Sequence, residues 1–142
     1  LEIIGTSSEI NNLSEKYSSK NIRFTGELSN DDVKRKIKTA KAVITATKLF
    51  EGQPRVLLEA SSFGVPSIYP NFGGMNDFFP SNYRLSFKQF NYDDLEQKIM
   101  MLHDSKLLSH ESKEIKKHLM TNYSDKFLYE KFKNILNSEE NE

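Results

Sequence analysis

The sequence predicts an α/β domain, a parallel sheet with helices on both faces. Three observations predict it. Short apolar runs alternate with polar stretches of helical length over residues 1–69. Two of those runs end at or beside a glycine, Gly5 and Gly26, where a chain leaving a strand must turn. Helix-start signals follow the turns. Strands joined through helices imply right-handed crossovers, and so parallel neighbours.

Taken in order, residues 1–4 read as a first strand. The tetrapeptide TSSE, residues 6–9, matches a capping box and predicts a polar helix to about residue 19. Residues 21–24 read as a second strand ending in Thr25-Gly26. Ser29 can then cap a helix whose first turn holds Asp31 and Asp32, acids favoured at a positive helix end. Residues 42–46 are a third strand, 54–63 a helix, 65–69 a fourth strand and 71–74 a loop. Residues 83–87 alternate and predict a short fifth strand. From Tyr92 to about Leu136 the pattern is helical, with breaks near Ser105 and Ser124, before an acidic tail.

Composition narrows the function classes. The chain has 142 residues, enough for one domain with a substantial core. Lysine plus arginine number 20 and aspartate plus glutamate 20, so nothing favours a nucleic-acid partner. The absence of cysteine excludes disulfides, thiol catalysis and zinc–thiolate sites. No apolar run approaches the roughly 20 residues that a membrane-spanning helix needs. The lysines from 34 to 41 read as a solvated helix face, with contact to a membrane surface as the lesser alternative. The acid pairs at 31–32 and 93–94 are adjacent rather than spaced as Asp-x-Asp, and the three histidines lack ligand partnering. No metal and no cofactor are expected.

The segment FEGQPRVLLEASSFGVPSI, residues 50–68, sets two carboxylates, Glu51 and Glu59, into a stretch otherwise suited to burial. Pro54 fits the first turn of a helix, because its φ is already helical and its missing N–H is not needed there. Glu51 then lies on the loop at the carboxyl edge of the sheet, where ligands of such folds sit. Glu59 falls about one and a half turns into the helix. Free N–H groups around Arg55 and Val56 can meet an anion, and ionised carboxylates accept hydrogen bonds from paired hydroxyls. A bland alternative is that Glu59 only pairs with Arg55 one turn earlier, in the weaker orientation. Gly73-Gly74 can likewise be a simple turn.

These residues resemble the signature of the group-1 retaining glycosyltransferases. The matching positions are Glu51-Gly52-x-Pro54, Leu57-Leu58-Glu59-Ala60, Gly64-Val65-Pro66 and Gly73-Gly74, with Ile4-Gly5, Phe24-Thr25-Gly26 and the tail TNYSDKFLYEKF in the same order. The resemblance implies the C-terminal, donor-binding half of a GT-B architecture, a Rossmann-like domain that holds a nucleotide diphosphate sugar. It implies that Glu51 contacts the donor sugar, as the residue nearest the chemistry, and that Glu59 holds the ribose hydroxyls. The backbone amides at Arg55 and Val56 would meet the diphosphate, Gly52 and Gln53 would be substrate-binding residues beside them, and Phe24, Thr25 and Gly26 would lie near the base. Gln53 departs from the family, which often has an aromatic there.

The same resemblance implies a hexosyltransferase of glycan or polysaccharide biosynthesis that needs no metal. The chain opens inside a strand, so residues 1–136 are expected to be an N-terminally truncated nucleotide-sugar-binding domain and residues 137–142 a frayed acidic tail. The acceptor domain and the basic phosphate-binding residues would precede Leu1, and the chain alone is expected to be inactive. A cytoplasmic location is expected, with peripheral association at the inner face of the membrane as an extension. The rival readings are a non-catalytic Rossmann-like module that binds a nucleotide or a partner, and an epimerase or phosphorylase on the same fold.

Overall fold

The computed structural model describes residues 1–139. The last three residues of the predicted acidic tail lie outside them. The fold is mixed α/β, and every pairing between its strands is parallel. The chain divides into two compact units, residues 1–39 and 40–142. Its five strands are shared between a two-stranded sheet and a three-stranded sheet rather than joined in one.

The first unit pairs β1 (Glu2–Ile4) with β2 (Arg23–Gly26), connected through α1 (Ile10–Tyr17), and ends in α2 (Asn30–Thr39). Two boundaries differ from the sequence reading. The capping box at residues 6–9 does not form: Glu9 itself is the N-cap and makes no side-chain cap bond. The Ile10 N–H instead bonds the Ser7 carbonyl at 3.2 Å, so a turn uses up the residues that would have formed the box. Strand β2 starts two residues later than expected and runs through Gly26, whose φ of +70° turns the chain out of the sheet. Ser29 does cap α2, accepting the Asp32 N–H at 3.2 Å.

The second unit holds the main core. β3 (Val43–Ile44), β4 (Ser67–Pro70) and β5 (Ser86–Phe87) lie in the order β3-β4-β5. All four residues of the central strand β4 are buried, as expected of a parallel strand covered on both faces. Between β3 and β4 comes α3 (Arg55–Ser62), which packs against β4 and α5 through Leu57, Ala60 and Ser61. A 3₁₀ turn (Met75–Phe78) follows β4, within a stretch that the sequence pattern left irregular.

Helices α4 (Tyr92–Met101), α5 (Ser105–Asn122) and α6 (Asp125–Glu139) complete the chain, with breaks where the sequence placed them. The Asn91 and Asp104 side chains cap α4 and α5. Helix α6 extends three residues past Leu136, into the segment expected to fray. Among the described residues no helix is long and apolar enough to cross a membrane.

One side chain completes the sheet. The Ser67 N–H and C=O face away from β3, whose bonds go to the neighbouring carbonyls of Pro66 and Ile68. Strand β5 pairs only from Tyr69 onward. The Tyr83 hydroxyl stands in for the missing strand, accepting from Ser67 N at 2.8 Å and donating to Ser67 O at 2.7 Å. Its ring packs at a tilt of 32° against Phe79 (4.6 Å between centroids), which stacks with Tyr69 at 4.4 Å. Burial holds the Tyr83 and Tyr69 hydroxyls protonated well above the usual tyrosine range.

The sign of the pH effect follows. Above about pH 10 the unfolded chain loses these protons while the folded chain keeps them, so stability falls as pH rises. Denaturation series from pH 8 to 11 should show this alkaline loss. Tyr83→Phe should be less stable at neutral pH, by about 1–3 kcal/mol, because it strands two buried backbone groups. It should also show a shallower alkaline slope; an unchanged slope would count against burial of the hydroxyl.

Candidate active site

Because β3, β4 and β5 are parallel, the loops leaving them emerge at one edge of the sheet. Two hydrogen bonds tie the three loops together. The Gly74 N–H donates to the Glu51 carbonyl at 3.1 Å, joining the loop after β4 to the loop after β3. The Gln89 side chain, just past β5, donates to the Thr47 carbonyl at 3.3 Å. Glu51 therefore lies at the carboxyl edge of the sheet, half-buried, between β3 and the start of α3.

Helix α3 begins one residue later than the sequence suggests. Pro54 is its N-cap, with φ −62° and ψ 119°, and not its first helical residue. An extended ψ turns the chain out of the helix, while the ring's fixed φ suits either position. With no side chain capping this end, Leu57 N–H makes the first bond, to Pro54 O at 3.1 Å. The amides of Arg55 and Val56 precede it and carry the positive end of the helix dipole. Gly52 and Gln53, both exposed, lead into that end.

Glu59 lies one turn further along and is half-buried. Its carboxylate is 3.9 Å from the Arg55 guanidinium, at the limit of an ion pair. The Arg55 side chain is 84% exposed against 21% for Glu59, so solvent screens the pair and it holds the carboxylate only weakly. At the far end, Gly64 adopts φ +71° and its N–H bonds Ser61 O, while Val65 N–H bonds Ala60 O. This left-handed cap explains the glycine of Gly64-Val65-Pro66 on structural grounds alone.

Gly73 and Gly74 are more than a turn. A Cβ at Gly73 would stand 2.2 Å from the Glu51 carbonyl oxygen, and one at Gly74 would stand 2.5 Å from that of Gly52. Only a backbone without side chains can approach the Glu51-Gly52 segment so closely. Two exposed rings flank the contact: Phe50 and Phe72 meet edge to face with centroids 5.5 Å apart. Gly73-Gly74 is visible in the sequence as a motif element, but neither its contact with Glu51-Gly52 nor the pairing of Phe50 with Phe72 has a local sequence signal.

The second unit thus brings Glu51, Gly52, Gln53, Arg55, Val56 and Glu59 onto one loop and the helix it feeds. Phe24, Thr25 and Gly26 belong to the first unit, on β2. There Thr25 Oγ1 donates to Ile3 O at 3.3 Å and Gly26 O accepts from Gly5 N at 2.9 Å. Among the described residues no three histidine, aspartate or glutamate side chains gather in a set that could hold a metal.

No curated protein matches the chain. The family described as glycosyl transferases group 1 matches residues 1–126, most of its length. With that match covering the loop, the helix and both flanking strands, the chain belongs to the group 1 glycosyltransferases.

Proposed function

We propose that the chain is the donor-binding half of a retaining glycosyltransferase, which moves a hexose from a nucleotide diphosphate sugar to an acceptor in glycan or polysaccharide synthesis. The observation that carries this reading is that the loops after β4 and β5 are both tied to the β3–α3 loop, at Glu51 and at Thr47, directly before an α3 terminus that no side chain caps. In this reading the diphosphate meets the Arg55 and Val56 amides, Glu59 holds the ribose and Glu51 holds the sugar. Gly52 and Gln53 line the approach.

Catalysis is then electrostatic. The bond from the anomeric carbon to the diphosphate breaks with its electron pair going to the diphosphate oxygen, the acceptor oxygen bonds to that carbon and passes its proton to the departing diphosphate, and preorganised donors hold the leaving charge. No metal takes part, and an N-terminal domain supplies the acceptor site and further cations. The full protein works in the cytoplasm, with peripheral association at the inner face of the membrane.

Calorimetric titration tests the reading with UDP, GDP and ADP and their glucose conjugates. One nucleoside diphosphate should bind weakly, since helix amides alone meet the anion, and the chain alone should turn over no donor. Glu51→Gln should leave that nucleoside diphosphate's affinity unchanged and weaken the sugar conjugate. Equal effects on both ligands, or binding of none, would defeat the assignment.

A further inference from the structure

The contact between the Glu51-Gly52 segment and the loop after β4 has a purpose beyond packing. We infer that Phe72, Gly73 and Gly74 are positioning residues that hold Glu51 in place for the donor sugar, an inference that rests on the role proposed above for Glu51.

Residues 45–54 separate β3 from α3 and contain no regular structure, so nothing local fixes Glu51. A carboxylate that must meet sugar hydroxyls needs placement to within a fraction of an ångström, and a free loop does not supply that. The restraint comes from across the sheet edge. Gly74 N–H clamps the Glu51 carbonyl at 3.1 Å. Gly73 lies so close that no Cβ fits, at a φ of +68° that itself favours glycine. Phe72 braces the preceding residue through the Phe50 ring. The three act on the backbone at 50–52, whereas Glu59 is held by α3 and lies outside their reach. They should therefore affect the sugar and spare the nucleotide.

Two substitutions test this in different ways. Phe72→Ala removes only an exposed ring and keeps the fold. Gly74→Ala forces a Cβ toward Gly52 O at a φ of −86°, without left-handed strain. Amide exchange at Gly74, followed without ligand, reads the clamp directly. Phe72→Ala should speed it about tenfold by favouring local opening, and Phe72→Tyr should restore it. In titrations each of Phe72→Ala and Gly74→Ala should weaken the sugar conjugate about three- to tenfold and leave the nucleoside diphosphate within about twofold, as expected when orientation alone is lost.

Unchanged Gly74 exchange in Phe72→Ala overturns the inference. So does a loss shared equally by both ligands, which would mark a structural role only. Glu51→Gln is the control. If it separates the two ligands and the loop variants do not, the positioning role fails alone. If it does not separate them, the proposed role of Glu51 fails and the inference falls with it.

Discussion

Leu57→Ala should lower the unfolding free energy by about 2–5 kcal/mol, measured by urea denaturation of the chain. Leu57 is fully buried, and it belongs to the cluster formed with Ile68, Phe78, Leu107 and Ile115. Truncation removes the transfer free energy of the lost atoms and leaves a cavity whose walls, drawn from a strand and two helices, cannot easily collapse. The effect should reach the site as well. Helix α3 has only eight residues, too few to persist without tertiary packing. Loosening its buried face should therefore weaken nucleotide binding in parallel with stability. A stability loss well under about 1 kcal/mol would mean that α3 is not anchored through this residue.

The same helix offers the opposite experiment on its other face. Glu59→Gln should weaken nucleoside diphosphate and nucleotide sugar alike, by about 1–3 kcal/mol, because a charge-assisted hydrogen bond to ribose becomes a neutral one. Stability should change by no more than a few tenths of a kcal/mol, since the pair with Arg55 is long and its arginine mostly solvated. Titration calorimetry with the two ligands separates the alternatives. If affinity is untouched, Glu59 is only the partner of Arg55, and the ribose is held elsewhere. A loss confined to the sugar conjugate would instead exchange the roles of Glu51 and Glu59.

Much of this was legible in the sequence because it depends on local patterns. The alternation of strands and helices along the chain, the breaks at Ser105 and Ser124, and the placement of Glu51 before a helix and Glu59 within it all follow from apolar spacing and from Pro54, Ser29 and the late serines. The failures share a cause. TSSE satisfies a local capping rule, yet the chain makes its turn at Ser7 and begins α1 at Ile10. Pro54 is compatible with two adjacent helix positions, and local propensity does not choose between them. The approach of Gly73 to Glu51 joins residues more than twenty positions apart, and no periodicity encodes it.

The stack of Tyr69, Phe79 and Tyr83 has a practical consequence for following this protein in solution. The chain contains no tryptophan, so its near-ultraviolet dichroism comes from tyrosine and phenylalanine alone. Two of the six tyrosines, Tyr69 on the central strand and Tyr83 bonded to it, are fixed in that cluster, in the asymmetric surroundings that give aromatic bands their sign and strength. The near-ultraviolet signal therefore reports the seating of β4, while the far-ultraviolet signal reports the helices. A collapsed state that keeps its helices but loses side-chain order would separate the two signals. The molecule carries its own optical gauge of packing, without any added label.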